Sequence, residues 1–99
     1  MKIKILNRFY DLSISPQVLN LPSDTNWGII DHTKGEITLN NKVNLALKFE
    51  TLLHECIHSI DNQLELDIDE KLTSKLACGM YSIINDNDWI AIKEFLEKK

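Results

Sequence analysis

The segment His54-Glu55-Cys56-Ile57-His58 puts two imidazoles and a carboxylate into five consecutive residues. On an α-helix each residue advances by about 100°, so side chains four apart lie within about 40° of each other, one turn apart. His54 and His58 can therefore grip one metal ion from a single helical face. Glu55 stands about 100° round from His54, beside such an ion rather than on it, where a carboxylate can take a proton from water and return it to a leaving group. This is the H-E-x-x-H arrangement, whose chemistry is one bound Zn²⁺ with the glutamate as general base of peptide hydrolysis. The bland alternative is a helix surface on which two histidines straddle a glutamate by accident. The chain has only three histidines, and the large apolar residues of this segment occupy the opposite arc, so the paired reading is preferred.

A tetrahedral zinc that keeps one position for water needs a third protein ligand. Asp61 is the nearest acid, but it would lie almost in line with His54 and His58 along one helix, and a line cannot surround an ion. It is better placed to accept a hydrogen bond from a ligand histidine, with a solvated helix-end acid as the alternative. His32, in the Asp31-His32-Thr33-Lys34-Gly35 reversal, reads as a surface residue. Glu70 opens a later helical stretch and would approach from a different direction; its neighbours Thr73, Ser74 and Ala77 are small enough for two helices to come close. Against this, D-x-x-E from Asp67 to Glu70 is also a capping box, and Asp69 is a competing ligand. The residues alone leave these alternatives open. Cys56 and Cys78 lack C-x-x-C spacing and read as reduced thiols on buried or half-buried helix faces.

The elements that must position these groups follow from the hydropathy pattern. Lys2 to Leu6 and Phe9 to Ile14 alternate with the two-residue period of strands around a turn at Asn7-Arg8. Residues 15–24 carry both prolines and read as a connecting loop. Trp27 to Asp31 and Glu36 to Leu39 form a second strand pair, with Gly35 free to take a positive φ. After a cap expected at Asn40-Asn41 the period changes to about 3.6. Leu45, Ala46, Phe49, Leu52, Leu53, Cys56, Ile57 and Ile60 cover one broad side of a helix running to about Asn62. A second helix, capped by Asp67 or Asp69, runs through Leu72, Leu76, Ala77, Met80, Ile83 and Ile84 until Asn85 to Asn87 breaks it. Trp89, Ile90, Ile92, Phe95 and Leu96 mark a last amphipathic helix. The expected class is α+β, one domain over residues 1–99: two N-terminal hairpins making a small antiparallel sheet, packed on the histidine helix and two further helices.

Composition narrows the function. With 43% hydrophobic and 26% charged residues the 99-residue chain is ordinary for a globular domain. A net charge of −4, with no basic cluster before Lys98-Lys99, argues against nucleic acid as a partner. No apolar run approaches the roughly 20 residues that cross a bilayer, and the first residues alternate rather than forming a signal-peptide core. The expectation is a cytosolic protein without a membrane partner.

The order of two hairpins, the helix T-L-L-H-E-C-I-H-S-I-D and a later E-x-x-T-S-x-L-A helix resembles the small zinc metallopeptidases of the ImmA/IrrE type, and short phage and prophage proteins with an HExxH helix, over about residues 26–85. In that type the third ligand is the Glu opening E-x-x-A-N-x-F-A. The segment from Glu70 to Ala77 matches that spacing, with Thr73-Ser74 in place of Ala-Asn and Leu76 in place of Phe. The resemblance thus implies a gluzincin-like, zincin-type domain with His54, His58 and Glu70 on one Zn²⁺ and Glu55 catalytic. It also implies a protein or peptide substrate, such as a repressor of a mobile element, and a host-cytosol setting if the chain is phage-encoded. The strand ending near Leu39 is expected to offer an edge for an extended peptide. The competing expectation is a non-catalytic zinc-containing binder of phage origin that captures a host factor, which would close the metal with a fourth protein ligand.

Overall fold

The computed structural model describes residues 1–15 and 27–98; the loop expected over 15–24 lies, from residue 16 on, outside them. The element order is β1 (Lys2–Ile5), β2 (Arg8–Ser15), β3 (Gly28–Asp31), β4 (Glu36–Asn40), α1 (Leu45–Leu64), α2 (Glu70–Asn85) and α3 (Trp89–Glu97). This is the expected α+β arrangement, a four-stranded sheet followed by three helices.

Both hairpins form. β1 pairs antiparallel with β2 around a turn in which Leu6 takes φ 54°. β3 pairs antiparallel with β4. The reversal between them is held by Asp31, whose Oδ1 accepts from the backbone N–H groups of Thr33 and Lys34, both at 3.0 Å, and Gly35 supplies the positive φ of 68°. The hairpins join through β2 and β4, which run parallel, with Leu12 opposite Ile37 and Ile14 opposite Leu39. The sheet is therefore mixed, in the order β1-β2-β4-β3, rather than antiparallel throughout. The physical reason is burial: β4 carries Ile37 and Leu39, both nearly inaccessible, and the central position covers it on both sides. The expected peptide edge at Leu39 is corrected accordingly. β4 is paired on both flanks, and among the described residues the edge strand beside it is β3.

One face of the sheet packs on α1. Ile5, Tyr10, Ile37 and Leu39 form its core with Leu52, Cys56 and Ile60 against them. A second cluster, Leu53 and Ile57 of α1 with Ala77 of α2, gathers Phe49, Met80, Tyr81 and Ile84. The broad apolar side of α1 thus serves two partners, the sheet and α2, and leaves a notch between them. Leu45 takes no part and is exposed. Gly28 sets how closely β3 approaches this helix: a Cβ there would stand 2.7 Å from Thr51 Cγ2 and 3.1 Å from Leu39 Cδ2.

The caps refine the expected boundaries. Asn44, not Asn40-Asn41, starts α1, its Oδ1 accepting from Leu47 N at 2.8 Å. Asn40 is drawn into the strand ladder opposite Ser15 instead. Asp69 caps α2 by accepting from Leu72 N at 2.7 Å, while Asp67 lies outside the helix at φ 59°. α3 is amphipathic as expected, but Trp89, Ile90, Phe95 and Leu96 are all exposed. No helix among the described residues is long and apolar enough to cross a membrane.

Candidate metal centre

The notch between β3 and α2 opens into a cleft of about 670 Å³, lined by Trp27, Gly28 and Ile30 on one side, Ser74 and Ala77 on the other, and the histidine face of α1 as its floor. His54 and His58 stand one turn apart on α1 with their Nε2 atoms 3.1 Å apart. Glu70, first residue of α2, closes the third direction: its Oε1 is 2.6 Å from His54 Nε2 and its Oε2 is 2.9 Å from His58 Nε2. Because Asp69 is the cap, the Glu70 side chain is not spent on a capping box with Asp67. Asp69 itself is committed to the helix N-terminus.

These three residues are the group of His, Cys, Asp and Glu side chains, among the described residues, whose ligand atoms converge, all within 4.8 Å of one another. The donor set fits a small divalent ion. Around a tetrahedral zinc with bonds near 2.1 Å, neighbouring ligand atoms are roughly 3.4 Å apart, close to the separation of the two imidazole nitrogens. Two nitrogens and a carboxylate form a set borderline enough for zinc and too poor in oxygen for calcium or magnesium. His54 and His58 are mostly covered, with side chains 19% and 26% exposed, whereas Glu70 is 69% exposed. The cluster is thus firmly seated on α1 and open towards solvent at Glu70.

Glu55 lies in the same cleft, itself buried. Burial pushes its carboxyl up from the ordinary range to about 7, and the Glu70 carboxylate acts in the same direction. A carboxyl poised there can exchange a proton near neutrality. Burial also raises the Cys56 thiol to about 11, with Glu55 adding to the effect, so this sulfur stays protonated and unreactive. Cys78 is exposed rather than half-buried, and both thiols are free.

Asp61 turns to the connection between α1 and α2, its Oδ1 3.4 Å from Ile68 N, and the hydroxyl near the His54 ring is that of Ser74, 3.5 Å from His54 Nδ1. That distance is the outer limit of a hydrogen bond. His32 is not a surface residue: it is half-buried on the cleft wall, with Nδ1 3.1 Å from the Tyr10 hydroxyl. Desolvation lowers its pKa, helped by Arg8 and His58 and opposed by Asp31 and Asp61, a net effect in favour of the neutral ring. Behind Tyr10 stand Ser59 and Gln63, in hydrogen-bonded sequence. One signal for this group was present in the sequence: Glu55, Ser59 and Gln63 recur every four residues and form a polar stripe beside the apolar one.

Comparison with known proteins finds no family model, curated relative or solved structure that the chain matches.

Proposed function

We propose that the protein is a zinc-dependent peptidase, with His54, His58 and Glu70 holding one Zn²⁺ and Glu55 as the proton-transferring group. The observation that carries this reading is the convergence of the Glu70 carboxylate from α2 on the histidine pair of α1, with a buried second carboxyl alongside. Among the described residues no fourth His, Cys, Asp or Glu joins the group. A structural zinc site is closed by four protein ligands, while a catalytic one keeps a position for water or substrate. The open ligand set therefore favours catalysis over a non-catalytic zinc-containing binder.

Bound in this group, zinc would supply Lewis acidity towards water and a carbonyl oxygen. The chain supplies the rest. Glu55 accepts a proton from water in the cleft and delivers it to the departing amine, a task suited to a carboxyl tuned to about 7. The cleft wall from Trp27 to Ile30 ends in β3, an edge strand among the described residues, where an extended peptide can add as a further strand with its backbone held across the metal group. The substrate class is accordingly a protein or peptide, and a cytosolic repressor-type regulator belongs to the same reading, in line with the resemblance to the ImmA/IrrE type.

The deciding experiment compares zinc-loaded wild type with Glu55→Gln on a mixed peptide library read by mass spectrometry. The expected outcome is cleavage by wild type and none by the variant, with zinc content equal in both. Cleavage that persists in Glu55→Gln removes Glu55 from the mechanism.

A further inference from the structure

The cleft wall contains one imidazole that the metal group does not use, and a buried hydrogen-bond chain determines where its proton sits. The chain begins at Gln63, whose amide orientation is fixed by the backbone: Oε1 accepts from Asn7 N at 3.1 Å and Nε2 donates to the Ile5 carbonyl at 2.8 Å. The same Nε2 donates to Ser59 Oγ at 2.9 Å, and Ser59 Oγ in turn donates to the Tyr10 hydroxyl at 2.8 Å. Tyr10 and Ser59 are completely inaccessible to water. A buried phenol that already accepts from Ser59 must place its own proton on a partner or lose the full desolvation cost of an unmet donor. The partner within reach is His32 Nδ1, 3.1 Å away. Nδ1 is then an acceptor, and a neutral imidazole carries its single proton on the other nitrogen, Nε2.

We propose that Gln63, Ser59 and Tyr10 form a positioning relay that locks His32 in its Nε2–H tautomer, making it a neutral hydrogen-bond donor to an oxygen of a ligand held in the metal cleft. The first half stands on the protein alone; the second rests on the reading of His54, His58 and Glu70 as a metal group. A donor fixed in advance towards an oxygen that gains negative charge during acyl transfer lowers the barrier, because no reorganisation is needed when the charge appears. Desolvation of His32, with Arg8 and His58 nearby, supports the neutral form. Tyr10, Ser59 and Gln63 act only through His32.

The first test uses the metal-free protein and long-range proton–nitrogen NMR, with the His32 ring assigned by its loss in His32→Phe. Wild type is expected to show protonated Nε2 and bare Nδ1, and Tyr10→Phe or Ser59→Ala to show mixed tautomers. A wild-type ring protonated on Nδ1, or one unmoved in both variants, overturns the relay. The second test titrates zinc-loaded protein with acetohydroxamate, a small oxygen-donor probe. His32→Phe is expected to bind it roughly 10–100-fold more weakly, the effect of one lost hydrogen bond to a charged group, while zinc affinity stays unchanged. Equal affinity for the probe overturns the donor role. A parallel fall in zinc affinity overturns it too, since His32 would then be a ligand. Wild type that takes up no zinc defeats the metal group and with it the second half of the proposal, while the tautomer spectra still decide the first.

Discussion

Glu70 Oε1 stands 2.6 Å from His54 Nε2, although one residue opens α2 and the other lies in the middle of α1. The contact depends on small residues where the helices meet: Thr73 and Ala77 are fully buried there, and Ser74 lies beside the His54 ring. Purified protein is therefore expected to bind one Zn²⁺ per chain. His58→Ala and Glu70→Ala should each weaken binding by more than the roughly 10–100-fold that loss of a ligand's hydrogen-bonding neighbour costs. Competition with a chromophoric chelator measures this, and wild-type affinity in Glu70→Ala would remove Glu70 from the ligand set.

Ser74→Ala tests the hydroxyl beside His54. Because the contact is long at 3.5 Å, the expected loss in zinc affinity is at the low end of that range, about tenfold. No change at all would mean that the ring is oriented by packing alone.

Glu55 gives the metal-free protein a pH dependence of defined sign. Its folded-state carboxyl titrates near 7 against 4.5 for the free group, so the native state keeps a proton that the unfolded chain releases in between. This contribution to stability is present below about pH 4.5 and is lost as pH rises towards 7, a loss of about 3–4 kcal/mol at roughly 1.4 kcal/mol per pH unit. Glu55→Gln should flatten that slope in urea unfolding measured between pH 5 and 8. An identical slope in the two proteins would show that the carboxyl is not desolvated.

Asp69 separates capping from ligation. Asp69→Ala should lose about 1 kcal/mol of stability through the missing N-cap, and Asp69→Ser should recover most of it with zinc affinity kept. A loss of zinc affinity in Asp69→Ser with stability intact would instead make Asp69 a ligand.

Gly28→Ala should cost roughly 1–3 kcal/mol, the usual penalty of an overfilled contact, because its Cβ would meet Thr51 Cγ2 at 2.7 Å. Thr51→Ser in the same chain removes that methyl and should restore part of the loss in a thermal melt. A neutral Gly28→Ala would show that β3 is not seated on α1 at this point.

Much of the candidate site is legible in the sequence because it is local. The helical period alone sets His58 one turn from His54, and side chains at that spacing share a face whatever surrounds them. Strand alternation likewise marked both hairpins, and Asp31 with Gly35 defined the turn of the second. Helix starts are set less locally: three asparagines precede α1 within a few residues, and strand pairing at Asn40 shifts the cap to Asn44.

What the sequence determined, then, was the pair of histidines, the neighbouring glutamate and the succession of elements, each governed by bond geometry and hydropathy within a few residues. The tertiary structure decided everything that spans elements. It chose Glu70 over Asp69 to face the histidines, set β2 parallel to β4 and so, among the described residues, left β3 at the edge, and drew His32 from a turn into the cleft beside Tyr10. Distances between elements depend on how two apolar stripes of α1 are shared between the sheet and α2. That division is fixed by simultaneous burial of both faces, which no periodicity within one segment encodes.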